Sequence, residues 1–226
     1  MTEVSFTRLF AQALQGSPCE VVGYAEGVDP TGPAGEADAA SPGDPLPVEE
    51  WRRPAQKSDL LVLDLCEGVT VDVGCGPGRM AAALAARGHD VLAMDVVPEA
   101  ASSARSSTVA AVQADVFDAL PHEGRWTTVL LADGNVGIGG DPAALLGRVR
   151  ELLERRGRVV VDLAPPGVGL STTWARLRCG DDISRPFRWS VVGADVIEEL
   201  AAATGFELRT LQVTADDRWT AVLVRR

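Results

Sequence analysis

The spacing of apolar positions changes along the chain, and the changes predict its elements. Within residues 3–15, Phe6, Leu9, Phe10, Ala13 and Leu14 recur at helical intervals, which predicts one amphipathic helix. Residues 27–47 (GVDPTGPAGEADAASPGDPLP) break every period with glycine and proline, so they read as an acidic linker. Beyond Trp51 short apolar runs alternate with helical stretches. Asp59–Cys66 reads as a helix and Val69–Val73 as a buried strand ending in glycines. Arg79–Arg87 is the next helix, stopped by Gly88. Val91–Met94, Val109–Val112, Thr127–Leu131 and Arg158–Leu163 read as further strands, with Pro98–Ser106 a helix between the first two. Asp141 caps a helix at Pro142 that runs toward Gly157. Continuous apolar strands alternating with helices predict a parallel sheet covered on both faces. The tail differs. Thr172–Arg178 and Ile183–Val191 read as an inserted hairpin, Ala194–Thr204 as a helix, and Phe206–Val213 with Trp219–Val224 as a closing antiparallel pair.

The resulting organisation is an N-terminal helix and Gly/Pro/acidic linker over residues 1–50, which could serve as a lid. One α/β domain follows over 51–226, with a hairpin inserted at about 170–191. A formal net charge of −11 opposes nucleic acid and anionic membrane as partners, since both reward a positive face. Residues 1–15 lack the order of a signal peptide, and no apolar run is long enough to span a bilayer. Four dispersed cysteines (Cys19, Cys66, Cys75, Cys179) without a CxxC read as reduced thiols rather than a disulfide or zinc framework. A cytoplasmic setting is the expectation. Lys57 is the sole lysine among 21 basic residues, a composition associated with high-GC bacterial coding.

The chemistry concentrates behind the first buried strand, in Val71-Asp72-Val73-Gly74-Cys75-Gly76-Pro77-Gly78-Arg79. Glycines between a strand and a helix let the backbone approach a ligand and aim N–H groups at it. The spacing is GxGxG rather than GxGxxG, with Arg79 where a dinucleotide loop carries its third glycine. Acids then follow successive strands. Asp95 is placed to accept the hydroxyls of an adenosine ribose. Asp115 is placed to meet an adenine amino group, with Val116 and Phe117 walling the ring. Asp133 follows the fourth strand. Any one of these could be a turn former; together they outline a ligand cleft at the carboxyl ends of a parallel sheet.

Three segments, VDVGCGPGRMAAALAARGHDVLAMDVVPEA, QADVFDALP and VLLADGNVGIGG, resemble successive motifs of class I S-adenosylmethionine-dependent methyltransferases. The resemblance implies a Rossmann-like doubly wound α/β fold, a mostly parallel seven-stranded sheet with an antiparallel last strand inserted in it. It implies S-adenosyl-L-methionine as cofactor. Asp72, Gly74, Cys75, Gly76 and Gly78 would lie under its methionine moiety, and Arg79 would either reach its carboxylate or pair at the surface. Asp95 and Val96 would meet the ribose and adenosine, Asp115 and Val116 the adenine, and Ala132 and Asp133 the sulfonium end. Asp133 and Asn135 are the candidates for a role in catalysis. Phe6, Phe10, Trp51, Asn135, Ile138, Trp174, Phe187 and Trp189 are the candidates for contact with a small, mostly apolar methyl acceptor.

His89 sits in a turn at the far end of the sheet and His122 in a loop, so both read as structural. No His/Asp cluster calls for a metal. A nicotinamide oxidoreductase would need the missing third glycine and a hydride-handling Tyr or Lys, yet Tyr24 and Lys57 both lie outside the sheet segments. A cofactor-binding sensor, or a non-methylating enzyme on the same pocket, is the alternative to methyl transfer.

Overall fold

In the structure, a computed structural model, residues 2–24, 28, 30, 43–107, 109–214 and 216–226 are described. The N-terminal part forms β1 (Thr2–Val4), α1 (Phe6–Leu14), β2 (Glu20–Gly23), β3 (Asp44–Pro45), α2 (Val48–Arg52) and α3 (Lys57–Leu63). The alternating part runs β4 (Thr70–Val73), α4 (Arg79–Ala86), β5 (Val91–Asp95), α5 (Pro98–Ser106), β6 (Ala110–Gln113) and β7 (Trp126–Leu131). A 3₁₀ segment at Asn135–Gly140, α6 (Pro142–Leu152) and β8 (Leu153–Leu163) complete it. The tail contributes β9 (Leu170–Cys179), β10 (Asp182–Ser184), β11 (Phe187–Val192), α7 (Ile197–Ala203), β12 (Phe206–Val213) and β13 (Trp219–Arg225).

Seven strands make one sheet in the order β12-β13-β8-β7-β4-β5-β6. Neighbours from β8 to β6 are parallel, while β13 lies antiparallel between β12 and β8. The inserted last strand and the mostly parallel sheet are those expected. All four residues of β4 are buried, as a central strand covered on both faces requires. The order reverses between β4 and β7, and the crevice at such a reversal is where open α/β sheets bind ligands. Asp141 caps α6 through Ala144 N–H at 2.9 Å, with Pro142 in the first turn. That helix ends at Leu152, short of the expected Gly157. Fully buried Leu153 already pairs with Trp126 and begins β8, which bends at Arg156 in the left-handed region.

A second sheet, unforeseen in the sequence, joins the N-terminal segment to the inserted hairpin. Its order is β1-β10-β9-β2-β3, with β11 also on β9. The inserted hairpin therefore pairs with β2 (Val21 opposite Leu177) and with β1 through β10. Strands β1–β3 are too short to carry a readable alternation, so periodicity could not find them. Helix α1 buries Leu9, Ala13 and Leu14 against Leu177 of this cap and against Val97 and Ala100 of the main layer. The linker expected at 27–47 falls largely outside the described residues.

The cap corrects the reading of the cysteines. Cys19 and Cys179 form a disulfide, their Cα atoms 4.3 Å apart, while Cys66 and Cys75 stay free. The pairing of Glu20 with Arg178 sets the two positions side by side, a proximity that 160 residues of separation conceal. The argument for a cytoplasmic setting from reduced thiols lapses with it. Among the described residues, no helix is long and apolar enough to cross a membrane. Reduction is expected to cost about 2–4 kcal/mol by freeing a long loop in the unfolded chain. Alkylation in denaturant should label two thiols without reductant and four with it, and the reduced folded protein should melt at a lower temperature.

Candidate active site

The glycine loop leaves β4 with Gly74, Gly76 and Gly78 all at positive φ (69°, 53° and 92°). Their reasons differ. A Cβ on Gly74 would stand 2.8 Å from Asn135 Nδ2, whereas one on Gly76 would meet nothing within 4 Å. A Cβ on Gly78 would press on Ala104 of α5 at 2.7 Å, so this glycine serves helix packing instead of a ligand. At the end of β5 the Asp95 carboxylate is clamped by backbone. Gly76 N–H donates to Oδ2 and Val97 N–H to Oδ1, each at 2.9 Å. Burial pushes its pKa up, and the two N–H donors oppose that rise. Val96 N–H opposes the rise as well, and the carboxylate keeps acceptor capacity for further donors.

Over the carboxyl ends of β4, β5 and β7 lies a cavity of about 340 Å³. Gly74, Cys75, Gly76, Arg79, Asp95, Val96, Asp115, Val116 and Asp133 line one part of it. Phe6, Phe10, Trp51, Asn135, Ile138, Phe187 and Trp189 line the other. The aromatic wall is continuous. Phe6 and Phe10 stack at 5.6 Å, Phe10 and Trp51 at 5.5 Å, and Phe187 meets Phe6 edge-on at 5.0 Å. α1, α2 and β11, distant in sequence, bring these rings together.

Four of the expected residues do not reach the cavity wall: Asp72, Gly78, Ala132 and Trp174. Trp174 lies on β9 directly opposite Arg188, in the strand beside the one that carries Phe187 and Trp189. Phe117, expected to wall an adenine, is instead 44% exposed and set against Gly139. Asp72 is fully buried, with Oδ2 lacking a hydrogen-bond partner. Burial, joined by the nearby Asp133 charge, pushes its pKa up to about 7. The folded protein therefore keeps a proton that the unfolded chain has released, between pH of about 4 and about 7. Stability should fall as pH rises through that window and level off above it. Asp72→Asn should remove about 1.4 kcal/mol of decline per pH unit, measurable by urea unfolding across the window.

Neither proposed catalytic side chain is free. Asn135 donates through Nδ2 to the carbonyls of Val73 and Gly74, both at 2.9 Å, and so braces the glycine loop. Asp133, held at φ 51°, accepts from Arg79 at 2.5 Å and from Arg218 at 3.3 Å. These belong to a network that sequence reading missed. Asp59, fully buried, accepts from Arg79, from Arg218 at 2.6 Å, from Arg53 at 2.7 Å and from Gln56 N–H at 2.7 Å. Arg218 also pairs with Asp162, whose Oδ2 accepts Asp133 N–H at 2.9 Å. Burial would raise the Asp59 pKa, but donors from Arg79, Gln56 and Arg53 outweigh it and hold the carboxyl well below the usual range. Three arginines thus meet three aspartates drawn from the end of α2, from α3 and α4, and from the ends of β7, β8 and β13, a convergence without a local signal in the sequence.

The remaining nucleophiles and bases are idle. Burial pushes the Cys75 thiol up, so it stays protonated beside the loop. His122 packs edge-on against Trp126 at 6.0 Å, His89 lies in the turn before β5, and neither lines the cavity.

The sheet order and the cleft over its carboxyl ends define a Rossmann-like methyltransferase fold. Residues 70–157 match the family model of a methyltransferase domain, as the resemblance to class I S-adenosylmethionine-dependent methyltransferases implied. An S-adenosylmethionine-dependent methyltransferase from Bacteroides fragilis, solved with S-adenosyl-L-homocysteine, is 20% identical with a TM-score of 0.75. That match covers 97% of this chain and 94% of the other, so the shared fold includes the cap. The 1,6-didemethyltoxoflavin-N1-methyltransferase of Burkholderia thailandensis is 20% identical over 75% of this chain and 77% of its own, at a TM-score of 0.57. The CcbJ methyltransferase of Streptomyces caelestis is 18% identical over 75% and 94%, at 0.59. No curated protein matches the chain.

Proposed function

We propose that this protein transfers a methyl group from S-adenosyl-L-methionine to a small, mostly apolar acceptor by direct displacement. The observation that carries the reading is one cavity with two unlike halves. A glycine loop and acid-tipped strand ends form the first, and a stacked aromatic wall forms the second. The first half suits the cofactor. The unblocked face of Gly76 admits close approach, and the clamped Asp95 carboxylate presents acceptors suited to two ribose hydroxyls. Asp115 already accepts Phe117 N–H through Oδ1 and has its second oxygen for an adenine amino group.

When bound, the cofactor supplies an electrophilic methyl, so the protein's contribution is alignment and exclusion of water. Asn135 fixes the glycine loop against the acceptor half. Arg79 and Arg218 hold Asp133 as an ion-pair partner at the mouth of the glycine loop. Asp133 and Asn135 act as positioning residues in this reading. The N-terminal segment and the inserted hairpin close the acceptor half, which gives the cap the role of a lid. Calorimetry and thermal shift with S-adenosylmethionine and S-adenosylhomocysteine test the proposal. Micromolar binding of both is expected, and no heat with no melting shift would remove it.

A further inference from the structure

Resting on that reading, we propose that the acceptor is a planar aromatic anion, with its negative charge on or conjugated to the atom that takes the methyl, and that Arg188 recognises it. The charge balance of the cavity carries the inference. Arg79, the other cation on its wall, is consumed by Asp59 and Asp133. Arg188, an exposed residue of β11, borders the cavity, and among the described residues it makes no hydrogen bond or ion pair. Its neighbour Trp189 lines the same wall with an indole N–H that has no acceptor among the described residues. Two unspent donors, one of them on an exposed side chain, therefore stand on the strand that borders the aromatic half, in a protein whose net charge is −11. A planar ring suits the stacked wall of Phe6, Phe10 and Trp51, and an anion suits the donors.

The glycines of the 3₁₀ segment make room for this arrangement. A Cβ on Gly140 would stand 2.3 Å from Arg188 Cβ, and one on Gly137 would lie 2.9 Å from Trp189 Nε1 and 2.0 Å from Ser190 O. Only glycine lets that segment lie so close on β11, which carries both donors. The chemistry agrees with the geometry. No free base faces the aromatic half among the described residues, since Asp133 is paired and neither histidine reaches it. An acceptor that binds already ionised needs none. Its lone pair forms the new bond to the methyl carbon, the carbon–sulfur bond breaks, the sulfur keeps that electron pair, and no proton has to be received.

The test uses 4-nitrophenol as probe, because its phenolate absorbs visibly and reports its own ionisation. The probe is titrated in the presence of protein saturated with S-adenosylhomocysteine, whose binding is recorded separately by calorimetry. The bound phenol is expected to ionise about tenfold more readily than the free one, the effect of one charged hydrogen bond in a partly dry site. Arg188→Ala should abolish that shift and Arg188→Lys should keep part of it, with S-adenosylhomocysteine affinity unchanged in both. No probe binding, a bound probe that ionises no more readily than the free one, or a shift that survives Arg188→Ala overturns the assignment. Failure of S-adenosylhomocysteine to bind would strike the cofactor reading instead, and the calorimetry shows which has failed.

Discussion

Asp59→Ala is expected to destabilise the folded protein by about 3–5 kcal/mol, the usual effect of leaving buried charge without its partner. Asp59 is fully buried, and its two oxygens receive three guanidinium groups and one backbone N–H. Its removal leaves Arg79 and Arg218, whose side chains are 5% and 17% exposed, with incomplete neutralisation. Urea unfolding would measure the loss, and a shift below about 1 kcal/mol would show that the network is a solvated cluster of little energetic consequence. The pH profile gives a second readout. A carboxyl held below its unfolded pKa stabilises above that value, and the contribution disappears as pH falls below about 4. Wild type should show that acid limb and Asp59→Ala should lack its share of it. The limb has the opposite sign to the Asp72 decline and lies at lower pH, so the two effects separate in one series.

Asp95→Ala is expected to weaken both S-adenosylmethionine and S-adenosylhomocysteine by about 100-fold, the loss of two hydrogen bonds to a charged acceptor. The same change frees Gly76 N–H and Val97 N–H, so the glycine loop loses its clamp along with the ribose acceptor. Circular dichroism and urea unfolding separate a folded chain that binds poorly from an unfolded one. Asp95→Asn is the sharper variant. It keeps the side-chain volume but turns one oxygen into a donor that faces a backbone donor. Near-wild-type affinity in a folded Asp95→Ala chain would show that the sugar is held elsewhere.

The order and kind of the elements in the alternating layer were legible, because each carries its own signal, although β8 begins at Leu153 rather than at Arg158. Pro98–Ser106 and Phe206–Val213 coincide with α5 and β12, since a first-turn proline and a period of two are local features. The GxGxG loop and the acids at strand ends were legible for the same reason, and Asp95 and Asp115 stand at the cavity as read. Asp72 and Gly78 belong to the same motif yet serve the layer beneath, one buried under the loop and the other against Ala104. A motif gives order along the chain and leaves open which side of the backbone each residue faces.

The sequence by itself determined the doubly wound layer and the place of the cleft, because period and turn chemistry act over a few residues. Only the tertiary structure decided the second sheet, the Cys19–Cys179 bond, the Arg–Asp network around Asp59 and the unspent charge of Arg188. Each depends on groups brought together from distant parts of the chain, and there backbone pairing and packing, rather than local spacing, choose the neighbours.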